Sequence, residues 1–304
     1  VTFGFCALTG RPNVGKSTLV NALVGSKVAI TSPVAQTTRS AIRAIVNRPA
    51  DPVPHAEFDQ LVLVDTPGIH KPVTLLGERL NDIARAQLSE VDLVCFVVDA
   101  ASGIGRGDEL LASWLPSSTP VVCVLNKIDA CDATRIAEQL SAAMTLRDFD
   151  AYVPLSAETG DGCGILVDEL FARLPEGAPM FPADMTTDQT ERHLAAELLR
   201  EQLLRRTHDE VPHSVAVFIE EIEGLDAETT ESSGTVRIDA IVYVERDSQK
   251  GIVIGKGGVT LRDAGTAARH QLEALLGRRV YLQTRVKVSP KWQRRAEQLN
   301  RLGY

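Results

Sequence analysis

Residues 3–17 read FGFCALTGRPNVGKS. The apolar run Phe3–Thr9 leads straight into Gly10-Arg-Pro-Asn-Val-Gly15-Lys16-Ser17, and a helical pattern, Ser17–Val24, follows. A G-x-x-x-x-G-K-[ST] segment between a strand and a helix is a phosphate-binding P-loop. Gly10 and Gly15 let the backbone wrap around phosphates, so that amides and the helix N-terminus face negative charge. Lys16 then reaches the β- and γ-phosphates, and the Ser17 hydroxyl is a ligand for Mg²⁺. Asn13, Val14, Gly15, Lys16, Ser17 and Thr18 are therefore candidate nucleotide contacts.

Outward from this loop the pattern repeats. Strand-like runs at Phe3–Thr9, Gln60–Asp65, Val91–Asp99, Val121–Asn126 and Tyr152–Leu155 alternate with helical stretches up to about residue 175. That rhythm predicts an α/β domain, a mostly parallel sheet with helices on both faces. Ligands of such sheets bind at the carboxyl ends of the strands. There LVLV runs into Asp65-Thr-Pro-Gly68, a carboxylate that suits Mg²⁺ through water and an amide that can sense a γ-phosphate. VVCVL ends in Asn126-Lys127-Ile-Asp129. Asp129 can accept from guanine N1–H and its 2-amino group; adenine offers neither donor and would leave the carboxylate unpaired. Asn126 can tie this loop to the P-loop, and the Lys127 stem can cover the base. Ser156-Ala157, after VPL, fits a last guanine contact, an Ala157 amide to O6. Four motifs in order make GTP or GDP the ligand.

Between the first helix and the second of these strands lies Gln36-Thr37-Thr38-Arg39. A threonine there can ligate Mg²⁺ when the γ-phosphate is present and so order the loop. Either Thr37 or Thr38 could serve; Thr38, which precedes Arg39, is favoured. Lys16, Thr38 and Gly68 are the candidate catalytic residues. Ile69 stands where many small GTPases carry a water-positioning Gln, which implies slow intrinsic hydrolysis.

The Pro-rich stretch LPEGAPMFPADMTTD, 174–188, breaks the pattern. We expect a nucleotide domain over 1–176, a linker over 177–189 and a second domain over 190–304. The second domain reads helix, strand, strand, helix, helix, strand, an α+β type II KH order. Between its two middle helices, Val253-Ile-Gly255-Lys256-Gly257-Gly258-Val-Thr-Leu261 matches the G-x-x-G loop, which brings amides close to the sugar-phosphate chain of about four nucleotides. The chain carries a net charge of −8, yet residues 245–304 hold 13 Lys+Arg against 5 Asp+Glu. Such asymmetry hints at a polyanion partner. Lys250, Gly255, Lys256, Gly257, Gly258 and Arg262 are the candidate RNA contacts. Trp292 could stack on a base or anchor a helix in the core.

The five cysteines form no metal-ligand spacing. No apolar run is long enough to span a bilayer, and the N-terminal residues do not resemble a signal peptide. A cytoplasmic monomer is the expectation.

With GRPNVGKSTLVNALVG (10–25), AQTTR (35–39), DTPGIHKP (65–72), LGE (76–78), NKID (126–129), LSAETGDG (155–162), TDQTERH (187–193), KGIVIGKGG (250–258) and LGY (302–304), the chain resembles the Era family, bacterial P-loop GTPases with a C-terminal KH domain. The resemblance implies binding of the 3′ end of small-subunit ribosomal RNA, with GTP favouring the bound state, in assembly of the small ribosomal subunit. Related potassium-activated GTPases hold K⁺ with the residue matching Asn13, which implies potassium stimulation. Some relatives associate peripherally with the inner membrane. Competing readings are a tRNA-modification or membrane-fission GTPase, against which the G-x-x-G loop argues, and a GTP-regulated scaffold whose basic end binds anionic lipid or an acidic protein.

Overall fold

A computed structural model describes residues 1–34, 37–49, 58–69, 72–225 and 234–304. Ala35, Gln36, His70 and Lys71 of the quoted motifs lie outside the described residues, as does most of the acidic turn between the second domain's first two strands. The chain divides into two units. Val1–Thr31, Thr38–Val73 and Gly77–Asp188 make the first; Ser32–Thr37, Thr74–Leu76 and Gln189–Tyr304 make the second.

In the first unit, β1 (Phe3–Thr9), α1 (Lys16–Val24), β2 (Ile42–Pro49), β3 (Phe58–Asp65), α2 (Leu75–Ser89), β4 (Leu93–Asp99), α3 (Arg106–Trp114), β5 (Val121–Asn126), α4 (Ala133–Leu146), β6 (Ala151–Pro154) and α5 (Cys163–Phe171) follow in order. The sheet order is β2-β3-β1-β4-β5-β6. Its residues alternate between two cores, as the two-residue period of a strand requires. Cys6, Leu8, Cys95, Val97, Val122 and Val124 pack on one side with Leu19, Leu166 and Phe171. Ala7, Val94, Phe96, Val98, Cys123 and Leu125 pack on the other with Ala84, Leu111 and Ala143. The strand cysteines are core residues, and burial pushes their thiols far up from the usual range.

One strand escaped the sequence reading. β2 runs antiparallel to β3 along the sheet edge, from Ile42↔Asp65 to Pro49↔Phe58. Its sequence, IRAIVNRP, breaks the apolar run with two arginines, an asparagine and a proline, residues that edge strands tolerate. The expected linker also differs. Residues up to Asp188 belong to the first unit and lie along β2. The Ile45 amide donates to the Thr186 carbonyl at 2.9 Å, Thr187 pairs with Ala44, and the Thr187 hydroxyl donates to the Arg43 carbonyl at 2.7 Å. Gln60, fully buried, ties this segment down. Its Oε1 accepts from the Met180 and Phe181 amides at 2.8 and 2.9 Å, and its Nε2 donates to the Phe181 carbonyl at 2.9 Å.

The second unit contains α6 (Glu191–Leu204), α7 (Val211–Ser214), β7 (Ala216–Glu223), β8 (Val236–Val244), α8 (Asp247–Ile254), α9 (Val259–Leu276), β9 (Val280–Val288) and α10 (Ala296–Leu302). Thr190 caps α6 by accepting from the His193 amide. The sheet order is β7-β8-β9, with β7 antiparallel and β9 parallel to β8. A parallel β8–β9 pair needs a crossover connection, which α8 and α9 supply. Trp292 is fully buried, and its Nε1 donates to the Ser214 carbonyl at 2.8 Å. Of its two readings, the core anchor is the one observed. Among the described residues, no helix is long and apolar enough to cross a membrane.

Replacing Gln60 with Ala removes the partner of two part-buried amides and a carbonyl, which costs about 1 kcal/mol. Urea denaturation of Gln60→Ala should show that loss, together with faster protease cleavage within 177–188. Unchanged cleavage would mean that this segment is held down without Gln60.

Candidate functional site

Four strand ends bring the sequence-derived residues together. After β1 the chain turns through the P-loop, where Gly15 has φ 97°. A Cβ at Gly15 would lie 2.3 Å from Asn126 Nδ2, so glycine is needed for space as well as conformation. Lys16, at the start of α1, is buried and points back into the loop, donating to the carbonyls of Gly10 and Arg11 at 3.1 and 3.0 Å. Val14 is buried, Thr18 half-buried and Asn13 exposed.

Asp65 closes β3 and is fully buried. Its Oδ2 accepts from the Ser17 hydroxyl at 2.6 Å and from the Thr38 hydroxyl at 3.3 Å, and the two hydroxyls are 2.9 Å apart. Asp65 Oδ1 is buried with no hydrogen-bond partner. A convergent carboxylate and two hydroxyls, with one carboxylate oxygen left over, form an all-oxygen donor set that suits a hard divalent cation completed by phosphate and water. Among the described residues no cluster of His, Cys, Asp or Glu offers another metal site. Thr37 lies apart from this trio. Its hydroxyl donates to the Val34 carbonyl at 2.7 Å and sits 2.8 Å from the Ser32 hydroxyl. Gly68 lies against the P-loop, where a Cβ would come within 3.1 Å of Pro12 backbone atoms.

Asn126, at the end of β5, binds the base-side loops into one piece. Its Nδ2 donates to the Val14 carbonyl at 2.9 Å; its Oδ1 accepts from the Lys127 amide at 2.8 Å and the Ala157 amide at 3.0 Å. The Ala157 amide, expected to face guanine O6, is given to Asn126 in this structure. The reason is that Asn126 Oδ1 has a second lone pair to offer, and it braces the two loops. Ser156 is fully buried and its hydroxyl accepts from the Thr159 amide, while Asp129 is exposed.

The second unit carries the other candidate site. α8 ends at Gly255, with φ 75°, where a Cβ would collide with Thr260 Oγ1 at 2.3 Å. Gly257 has φ 62°, and a Cβ there would meet nothing within 4 Å. The loop backbone is thus open to approach from outside. Lys256, Gly257 and Arg262 are exposed; Lys250, Gly255 and Gly258 are half-buried. Other cations are engaged internally: Arg269 with Glu273 at 2.8 Å, Arg278 with the Gly224 carbonyl at 2.9 Å, and Arg285 with Glu220.

Known proteins match this arrangement. Residues 5–127 match the family described as 50S ribosome-binding GTPase, and residues 210–293 match the KH domain. The GTPase Era of Mycobacterium bovis (strain BCG / Pasteur 1173P2) is 50% identical over 309 residues, covering 99% of this chain and 98% of its own. The chain belongs to the Era family of GTPases. A crystal structure of Era in complex with MgGDPNP and nucleotides 1506–1542 of 16S ribosomal RNA superposes with TM-score 0.91 at 39% identity, covering 100% of this chain and 99% of that one. An Aquifex aeolicus Era variant bound to GDP·AlF₄⁻ matches with the same TM-score, identity and coverage.

Arg11, Asp99 and Asp108, whose side chains pair beside the P-loop, were not singled out by the sequence reading. Asp99 closes an apolar strand as Asp65 does, and that shared signal could have found it. Arg11 and Asp108 are 97 positions apart and carry no local signature.

Charge in the Era-family pocket is tightly balanced. Burial pulls Lys16 down to about 8, with Asp65 acting in the opposite direction. Burial raises Asp65 above the usual carboxylate range, against the opposing pull of Lys16, Ser17 and Thr38. Nucleotide phosphates favour charged Lys16, so binding above pH 8 must take up a proton. GDP affinity is therefore expected to be flat from about pH 6.5 to 7.5 and to fall toward tenfold per pH unit as the pH rises through 8 to 9. Titration calorimetry in buffers of different ionisation enthalpy should show proton uptake at the upper end. An affinity independent of pH with no proton uptake would show that Lys16 is not depressed.

Proposed function

We propose that this Era-family GTPase binds the 3′ end of small-subunit ribosomal RNA through its Gly255–Gly258 loop, and that GTP hydrolysis times its release during small-subunit maturation. The observation that carries the RNA half is the exposed glycine turn between α8 and α9, with Lys256 at its tip, in a sheet of KH topology. Amides on an open glycine backbone can approach a sugar-phosphate chain that any side chain would hold off. The choice of the small subunit rests on the whole-chain likeness to Era bound to 16S RNA.

For the nucleotide half, Lys16 and the P-loop amides would hold the phosphates, and Asp129 would select guanine. Ser17, Thr38 and Asp65 would hold Mg²⁺, Asp65 through water. Bound Mg²⁺ neutralises charge on the β- and γ-phosphates. Thr38 adds its hydroxyl when the γ-phosphate is present, and the Gly68 amide faces the same phosphate, so loss of that phosphate releases both segments. Ile69 has no group with which to orient water, so intrinsic turnover is slow. Asn13, exposed on the P-loop, is the proposed K⁺ ligand; replacing K⁺ with Na⁺ should lower turnover, and equal rates in the two salts would remove potassium from the mechanism.

The direct test is binding of a 3′-end small-subunit RNA oligonucleotide with a GTP analogue, with GDP and without nucleotide. Tighter binding with the analogue is expected. A Lys256→Asp, Gly257→Asp variant should lose at least about tenfold in affinity. No binding by the folded protein would overturn the RNA reading, and RNA-insensitive binding to anionic vesicles would favour the scaffold instead.

A further inference from the structure

The P-loop is gripped from a segment that belongs to none of the nucleotide motifs, the stretch from the end of β4 to the first turn of α3, residues 99–108. Two ion pairs make the grip, one on each side of Pro12. On one side Lys127 Nζ donates to the Asn13 carbonyl and to Asp99 Oδ2, both at 2.7 Å. On the other, Arg11 Nε donates to Asp108 Oδ1 at 2.9 Å, and Arg11 Nη2 donates to the Gly103 carbonyl at 2.9 Å.

Each carboxylate is itself fixed. Asp99 Oδ1 accepts from the amides of Ala101 and Ser102 at 2.9 and 3.0 Å, which holds the turn after β4. Burial pushes Asp99 up, but Lys127 and Ser102 together hold it below the usual carboxylate range. Asp108, fully buried, spends its second oxygen on the Gly105 amide at 3.0 Å. α3 also makes room for the guanidinium stem, since a Cβ at Gly107 would lie 2.8 Å from Arg11 Cδ.

The grip also falls where the backbone needs it. Asn13 and Lys127 are two of four non-glycine residues with positive φ among the described residues, at 64° and 67°. Such conformations persist when surrounding contacts over-determine them. The Lys127 ammonium joins the two strained residues directly, and Asp99 fixes the ammonium.

We propose that Asp99 and Asp108 are positioning residues that hold the P-loop in its nucleotide-receiving shape, Asp99 through Lys127 and Asp108 through Arg11. Neither carboxylate touches nucleotide in this role; each acts through a cation that does or that belongs to the loop that does. The inference rests on the GTPase site alone and is independent of the RNA reading.

The test is GDP dissociation, followed by chasing a fluorescent GDP analogue, with GTP turnover and melting temperature measured in parallel. Asp99→Ala should speed dissociation by about tenfold, the scale of one charged hydrogen bond, and should raise KM more than it lowers kcat. In a Lys127→Ala background the same change should add less than about twofold, because its partner is already gone. Asp108→Asn, which keeps an acceptor for the cap of α3, should behave likewise relative to Arg11→Ala. Multiplicative effects in the double variants would overturn the proposal, since the carboxylates would then act other than through the cations. So would dissociation rates at the parental value, or losses that track melting temperature alone.

Discussion

The nucleotide unit is organised around a buried lysine and a buried carboxylate, one oxygen of which has no protein partner. Lys16 takes two backbone carbonyls, and Asp65 takes two hydroxyls and keeps one oxygen without a partner. Burying either charge alone would be expensive, and each tempers the other's penalty. What remains unsatisfied is Asp65 Oδ1, a buried acceptor placed where a hard divalent cation would find it. The flanking strands hold this arrangement because their carboxyl ends are in register, with Leu8 paired to Asp65 and Asp99 to Asn126.

Much of this was legible in sequence, because the motifs are local. A P-loop, a D-x-x-G and an N-K-x-D each keep their chemistry within a few residues, and each follows an apolar run that marks a strand end. The Thr38 hydroxyl lies beside Ser17 and Asp65, while that of Thr37 bonds the Val34 carbonyl. The strands β1, β4 and β5 were equally readable, since strands buried on both faces are apolar throughout.

What escaped was long-range or conditional. β2 is passed over in the sequence because an edge strand need not be apolar. The segment 177–189 reads as a linker because its prolines and turn formers say nothing about Gln60, some 120 positions away, which accepts the Met180 and Phe181 amides. Trp292 is ambiguous in sequence for a related reason: an indole serves a base stack or a core equally well, and the Ser214 carbonyl decides between them.

The same distinction separates the two candidate sites in kind. The nucleotide pocket is held from within: Lys127 ties Asn13 to Asp99, and Asn126 ties Val14 to Ala157, so a single substitution propagates through contacts already made. The Gly255–Gly258 loop is the reverse. Gly255 is required by Thr260 from within, but a Cβ at Gly257 would meet open space, and Lys256 is exposed. A site whose constraints are internal is tuned to one small ligand of fixed geometry. A site whose constraints are external suits a flexible polymer that brings its own shape, as a single RNA strand does. The nucleotide pocket is thus fixed from within, whereas the Gly255–Gly258 backbone is open on its outer side.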